Sequence, residues 1–335
     1  MGFNPYENEI LVKKALQEGK VEILPTEAQK KWMELKFGMF IHFGINTFYD
    51  MEWSDGTLDP VAYNPSQLDP DQWCEAAKSA GMKYILFVAK HHDGFCNWHT
   101  RWTDYNVKNT PFKEDTLKLL ARAAEIAGLK LGLYYSLWDR HEPSFNNDHG
   151  YTIFMKSQLS ELLINYGEMV EFWFDGGWKK GGVHYQDSNR WYWREIYEHI
   201  KTIQPDCLVA NNGTYGRAGE VVMWPCDFRI GEKQPPTQED RKVWYCGGIG
   251  DWLPYEMCHT LSQGGTKKGQ FADGKWFWHE DDNTVQPAEW IIEILDTCNS
   301  RGANLVINAA PDNRGLMRNI EIECLKKVGS LRGIK

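Results

Sequence analysis

Four apolar runs of the sequence end in groups able to do chemistry. The run 37–43 closes with His42-Phe43-Gly44, and 84–89 is followed by Lys90-His91-His92-Asp93-Gly94. The run 131–136 ends in Tyr134-Tyr135-Ser136, and 170–175 leads into Trp173-Phe174-Asp175-Gly176-Gly177. A lone histidine at a strand end is more often a satisfied structural group than a catalytic one. Four polar strand ends aimed at one mouth point instead to a site. Asp175 is the sharpest candidate, because a carboxylate directly after an apolar strand and before Gly-Gly is a rigidly held nucleophile with open backbone space in front. Asp-Gly is also a common turn after a strand, so it is the surrounding constellation that favours chemistry. His91, His92 and Asp93 could instead hold a divalent metal. Adjacent histidines of an extended chain point to opposite sides, however, so only one would face the barrel axis, and there is no His-x-His spacing. Three classes stay open at this point: a carboxylate-based hydrolase, a metal-dependent barrel hydrolase, and a catalytically silent binding protein.

These groups need a frame that brings several strand ends together. Short apolar or β-branched runs alternate with segments in which apolar residues recur at helical spacing, the pattern of βα units. After a helix near 26–35, strands are expected at 37–43, 84–89, 131–136, 170–175 and 208–211, with helices near 70–80, 116–127, 151–166 and 191–204 between and after them. The signal weakens between 221 and 278, where short strands are expected at 228–230, 257–261 and 275–278 among long loops. It recovers with a helix at 287–300, a strand at 303–308 and a closing helix at 319–329. This number of βα units predicts an α/β fold, a (β/α)8-like (TIM-type) barrel with irregular sixth and seventh units. The expected organisation is a single domain over 1–335, with a helical lead-in at 1–35 and the barrel at 36–329. The absence of G-x-G-x-x-G after the first strand counts against a dinucleotide-binding sheet.

Composition narrows the partners. With 335 residues, 42% of them hydrophobic, the chain can bury a large core. Its formal charge of −9 argues against nucleic acid held by phosphate contacts. No run is apolar enough to span a membrane, and the first residues lack the pattern of a signal peptide, so a cytoplasmic location is expected. Cys74, Cys96, Cys207, Cys226, Cys246, Cys258, Cys298 and Cys324 form no C-x-x-C pair and are expected to be free thiols. The 16 Trp, 15 Tyr and 15 Phe are mostly core material. A tryptophan-rich rim would also suit the flat apolar faces of a sugar.

The segments KFGMFIHFG (36–44), KYILFVAKHHDGFCNW (83–98), LGLYYS (131–136), EFWFDGG (171–177) and GANLVINAAPDNRG (302–315) resemble, in order, the α-L-fucosidases of glycoside hydrolase family 29. The resemblance runs from near residue 30 to near 329. It implies a retaining exo-glycosidase acting on a fucosylated oligosaccharide or glycoconjugate, with neither metal nor cofactor, and with Asp175 as the nucleophile. His42, His91, His92 and Tyr134 would hydrogen-bond the fucose hydroxyls. Glu52-Trp53 is similar to the family's Glu-Trp pair, and Trp276 in KWFWH to an aromatic that packs on the sugar. Glu232, in Asp227-Phe228-Arg229-Ile230-Gly231-Glu232, resembles the general acid/base of one branch. Glu256 is the second choice and otherwise a substrate-contacting or supporting carboxylate, with Glu220 and Glu239 as outsiders. Two features depart from the family. An arginine placed after strand five has no match in Asn211-Asn212-Gly213, with only Arg217 nearby, and no C-terminal β-sandwich is expected after the eighth unit. The site is therefore expected to be more open, or to be completed by a neighbouring subunit of a homo-oligomer. A retaining pair stands about 5–5.5 Å apart. Burial near Trp276 and the charge of Asp175 would raise the pKa of Glu232. Loops 178–190 and 231–280 are expected to set linkage and aglycone preference.

Overall fold

The computed structural model describes residues 22–177, 191–212, 219–221, 223–244, 250–264 and 275–334. Its centre is an eight-stranded, all-parallel sheet rolled into a nearly closed barrel. The strands are β1 (Phe37–Ile41), β2 (Tyr84–Lys90), β3 (Lys130–Ser136), β4 (Met169–Asp175), β5 (Leu208–Asn211), β6 (Arg229–Glu232), β7 (Tyr255–Thr260) and β8 (Ala303–Ala309). They pair in the order β5-β4-β3-β2-β1-β8-β7-β6. The seam lies between β5 and β6, where Asp227 N–H donates to Val209 O at 2.7 Å and the Asp227 carboxylate accepts from Val209 N–H at 2.9 Å.

Helix α1 (Glu27–Met33) precedes β1, and α2 (Pro70–Ser79), α3 (Thr116–Ala127), α4 (Asp148–Asn165) and α5 (Trp193–Ile203) follow the first four strands. Helices α6 (Ala288–Ser300) and α7 (Asn319–Leu331) follow β7 and β8. Among the described residues no helix follows β5 or β6, which accounts for the irregular sixth and seventh units. Local chemistry sets the helix starts. Asp69, Asp115 and Asn147 each accept a backbone N–H of the first turn of α2, α3 and α4, and Thr26 with Gln29 forms a capping box on α1. None of the described helices is long and apolar enough to cross a membrane. The seven described cysteines are buried free thiols, and Cys246 lies outside the described residues.

Strand alternation divides the apolar residues into two cores. Phe37, Met39 and Ile41 of β1, with Ile85 and Phe87 of β2, face the helices, while Phe40, Leu86, Tyr134, Trp173 and Val306 fill the lumen. Glycine makes room for the largest lumen groups. A Cβ on Gly38 would lie 2.6 Å from the Tyr84 ring, and one on Gly132 would lie 2.6 Å from Glu171 Cγ. Helix α1 closes the N-terminal end of the lumen. Its Gln29 amide donates to Asp227 O and Trp252 O, and its Trp32 indole N–H donates to the Glu171 carboxylate.

One expected strand is absent. Residues 275–278 form a loop, because their backbone is paired with side chains instead of a ladder: Lys275 N–H donates to Ser262 Oγ, Trp276 N–H to Glu52, and Asn308 Nδ2 to Trp276 O. The expected strands at 228–230 and 257–261 correspond to β6 and β7, whose bounds differ by one or two residues.

Candidate active site

Glu171, Trp173 and Asp175 alternate along the lumen face of β4, and Asp175 is the last, at the C-terminal mouth where barrel sites are built. Its carboxylate accepts from Tyr134 Oη at 2.9 Å, from Gly176 N–H at 2.8 Å and from Asn212 Nδ2 at 3.4 Å. Gly176 has φ 77°, and a Cβ there would lie 2.7 Å from Trp138 Cβ, so the residue after Asp175 must be glycine. Burial and then the charge of Glu232 push the Asp175 pKa up to about 7, against the pull of its donors.

Glu232 ends β6 on the lumen face already occupied by Phe228 and Ile230, which carries it to the same mouth. Asn212, directly after β5, joins the two acids. The nitrogen that donates to Asp175 also donates to Glu232 Oε2 at 2.9 Å. The two bonded oxygens therefore stand no further apart than the sum of those two bonds, a span that includes the roughly 5–5.5 Å of a retaining pair.

Three imidazoles line the next part of the mouth. Asn308 fixes the tautomer of His42: its Nδ2 donates to Trp276 O at 2.8 Å, so its Oδ1, 2.7 Å from His42 Nδ1, must accept. His42 Nε2 is left as a lone pair, and burial keeps the ring neutral by lowering its pKa to about 3. The register of β2 against β3 slips between Val88 and Lys90. This bulge turns Lys90 outward onto Asp139, at 2.7 Å, and re-aims the chain that follows. The strand ends at Lys90, so the premise of an extended His91-His92 pair fails. Both rings face the mouth with centroids 4.2 Å apart. His91 stacks on Tyr134, and its Nδ1 is buried with no hydrogen-bond partner. Ser136 Oγ commits its hydrogen to Trp138 O, so it accepts from His92 Nδ1, leaving His92 Nε2 3.7 Å from Asp175 Oδ2. The Asp93 carboxylate holds the adjoining turn through Phe95 N–H and Asn46 Nδ2. Among the described residues no group of three or more His, Cys, Asp or Glu side chains is arranged to hold a metal ion.

Aromatic rings complete the walls. Trp276 lies 5.1 Å from the His42 ring, and Trp53 packs edge-on to His92 at 5.3 Å. Two wall residues carried no sequence signal of their own: Trp138, 5.2 Å from His92, and Phe277, 5.0 Å from His91. Glu52 sits behind this wall, with both carboxylate oxygens accepting Trp276 N–H and Oε1 meeting His279 Nε2. It is a support of the site, through Trp276.

Glu256 is a correction. It is the second residue of β7, at the N-terminal end of the lumen, where it accepts from Tyr84 Oη at 2.5 Å and shares a sealed layer with Glu171. The length of the barrel separates it from Asp175, so it neither contacts substrate at the mouth nor serves as the acid/base. Glu220 and Glu239 are exposed. Arg217, loop 178–190 and parts of 231–280 lie outside the described residues.

The family model described as Alpha-L-fucosidase matches residues 9–332. Alpha-L-fucosidase 1 of Arabidopsis thaliana is 31% identical over 330 residues, covering 92% of this chain and 60% of that protein. Among solved structures, a glycoside hydrolase 29 family member from an unknown rumen bacterium is 30% identical with a TM-score of 0.77, over 93% of this chain and 57% of the other. Alpha-L-fucosidase isoenzyme 1 from Paenibacillus thiaminolyticus is 26% identical with a TM-score of 0.74, over 92% and 75%. The chain spans about 60% of the length of the first curated relatives. Motifs, barrel and profile agree across nearly all of the chain, which belongs to the α-L-fucosidase family, glycoside hydrolase family 29.

Proposed function

We propose that this chain hydrolyses α-L-fucosides with retention of configuration, Asp175 acting as nucleophile and Glu232 as general acid and base. The observation that carries the reading is the single Asn212 amide that donates to both carboxylates at the barrel mouth. Two carboxyls that share a site cannot both ionise freely, so the pair holds one proton over a range of pH. Attack by Asp175 needs that proton on Glu232, and the donors on Asp175 pull towards this arrangement against the burial and the Glu232 charge that raise its pKa.

In the first step an Asp175 oxygen bonds to C1 of the fucosyl unit while the bond from C1 to the glycosidic oxygen breaks. Glu232 gives its proton to the departing oxygen, and the leaving alcohol is neutral. Glu232, now a carboxylate, then takes a proton from water as the water oxygen bonds to C1 and the bond from C1 to Asp175 breaks. Each displacement inverts C1, so the two together retain its configuration. His42 Nε2 would accept from a sugar hydroxyl, and the buried His91 Nδ1 offers a second polar contact that a hydroxyl would satisfy. The walls of Trp53, Trp138, Trp276 and Phe277 suit the apolar face and 6-methyl group of a deoxy sugar. A site that pairs each hydroxyl discriminates against sugars that leave those groups unmet.

The test is turnover of an aryl α-L-fucoside by the purified protein and by Asp175→Ala, with and without a chelator, with the anomer first released read by NMR. Chelator-resistant turnover that gives the α-anomer and is lost in the variant is the expected result. Release of the β-anomer, or chelator-sensitive turnover that survives in Asp175→Ala, would overturn the reading.

A further inference from the structure

Behind the aromatic wall, one imidazole is gripped by two carboxylates. His279 Nδ1 lies 2.7 Å from Asp50 Oδ1, and His279 Nε2 lies 2.9 Å from Glu52 Oε1. Ionised carboxylates only accept hydrogen bonds, and a neutral imidazole has one N–H. A neutral ring would set a lone pair against one of the two carboxylates, so both contacts are satisfied only by the cation. Asp50 and Glu52 come from the loop after β1, whereas His279 belongs to the loop that supplies Trp276 and Phe277. The same Glu52 accepts Trp276 N–H on both oxygens, at 3.1 and 3.2 Å, and Asn308 holds Trp276 O at 2.8 Å while fixing His42. A continuous chain of polar contacts therefore runs from Asp50 through His279, Glu52, Trp276 and Asn308 to His42.

We propose that His279 is a positioning residue: as an imidazolium clamped between Asp50 and Glu52, it fastens the loop carrying Trp276 and Phe277 against the sugar site. The clamp can exchange its proton with solvent, because the Asp50 side chain is 36% exposed whereas those of His279 and Glu52 are each 8% exposed. The charged groups facing the ring are Glu52 and Asp50 across the interface and Lys275 on its own loop. Burial pulls the His279 pKa down, but the hydrogen bond and charge of Glu52, with the charge of Asp50, outweigh both burial and Lys275, and the net shift is upward. The folded state thus holds this proton more tightly than the unfolded chain. The clamp's stabilisation is complete below the ordinary imidazole pKa and is lost as pH rises through the raised value.

The inference rests on the fucosidase reading only for its kinetic consequence. Loosening the wall weakens sugar binding while the acids stay in place, so KM should rise on the alkaline side with kcat little changed. His279→Gln should raise KM on the order of tenfold, within the ~10²-fold that a misplaced positioning group can cost, and should remove the alkaline rise. Asp50→Asn should keep the ring but move the rise to lower pH. An NMR titration of labelled histidine, with the His279 signal assigned by its loss in His279→Gln, tests the clamp without turnover. A His279 midpoint above the ordinary value of about 6.5, lowered in Asp50→Asn, is the expected result. A midpoint at or below 6.5, or a wild-type alkaline KM profile in His279→Gln, would overturn the proposal. If no α-L-fucoside is turned over, the function reading fails while the titration still decides the clamp.

Discussion

The two ends of the barrel lumen each hold a pair of acids, and β4 contributes one acid to each pair from the same face. At the mouth Asp175 meets Glu232; four residues earlier on the strand, at the floor, Glu171 meets Glu256. Burial raises the pKa at both ends, to about 7 for Asp175 and about 8 for Glu171. A raised pKa therefore does not mark the site. The surroundings do. The floor pair is sealed under α1, with Trp32 donating to Glu171 and Tyr84 to Glu256. The mouth pair shares a bridging amide and stands among three imidazoles and the aromatic walls. The floor acids are lumen filling that tolerates a proton, and the mouth acids are poised to exchange one.

Amide variants of the four acids separate the two ends. Asp175→Asn should cut kcat by on the order of 10⁴-fold or more, as loss of a nucleophile does, whereas Glu171→Gln on the same strand face should stay within a few-fold of wild type. Comparable losses in both would erase the distinction. Next in size, Glu232→Gln should lose roughly 10²–10⁴-fold in kcat on a poor leaving group, and much less on one that departs without protonation. Glu256→Gln should show no such dependence on the leaving group. These two comparisons need only steady-state rates on a pair of aryl fucosides.

The pH responses of the two ends run in different directions and are smaller. Asp175 must be ionised to attack, so kcat/KM, which reports the free enzyme, should fall as pH drops through a midpoint near 7. Asn212→Ala removes a donor to the carboxylate and should move that midpoint upward. At the floor the folded state holds protons that the unfolded chain has released. Stability should therefore decline as pH rises from the ordinary carboxylate range towards about 8. Denaturant midpoints across that window should fall in wild type and flatten when Glu171 and Glu256 are both glutamine. An unchanged slope would mean that the floor pair is not what titrates.

Much of this was legible in the sequence because parallel strands buried on both faces read as continuous apolar runs, and β1 to β5 and β8 do so. Asp175 was legible for the same reason, as the polar end of such a run. The errors fall where local pattern and long-range partners disagree. Trp276-Phe277-Trp278 is an aromatic run like a short strand, but its backbone is captured by Glu52 from the loop after β1 and by Asn308 from β8. Glu256 lies one residue outside the bounds expected for a strand at 257, whereas β7 begins at Tyr255, which puts Glu256 inside the lumen at the wrong end for catalysis. The shared orientation of His91 and His92 depends on a bulge that periodicity does not reveal. Asn212 could have been found as one more polar strand end. His279 could not, since Glu52 lies 227 residues away in the chain.

The most direct measurement is peptide mass spectrometry of Glu232→Gln after reaction with an activated aryl α-L-fucoside and rapid quenching. That variant should still form the glycosyl-enzyme but hydrolyse it slowly. The expected result is a fucosyl adduct on the peptide containing Asp175, absent when Asp175 is also replaced by Ala. An adduct on another residue, or continued turnover with no adduct and an inverted product, would contradict a retaining pair at the barrel mouth.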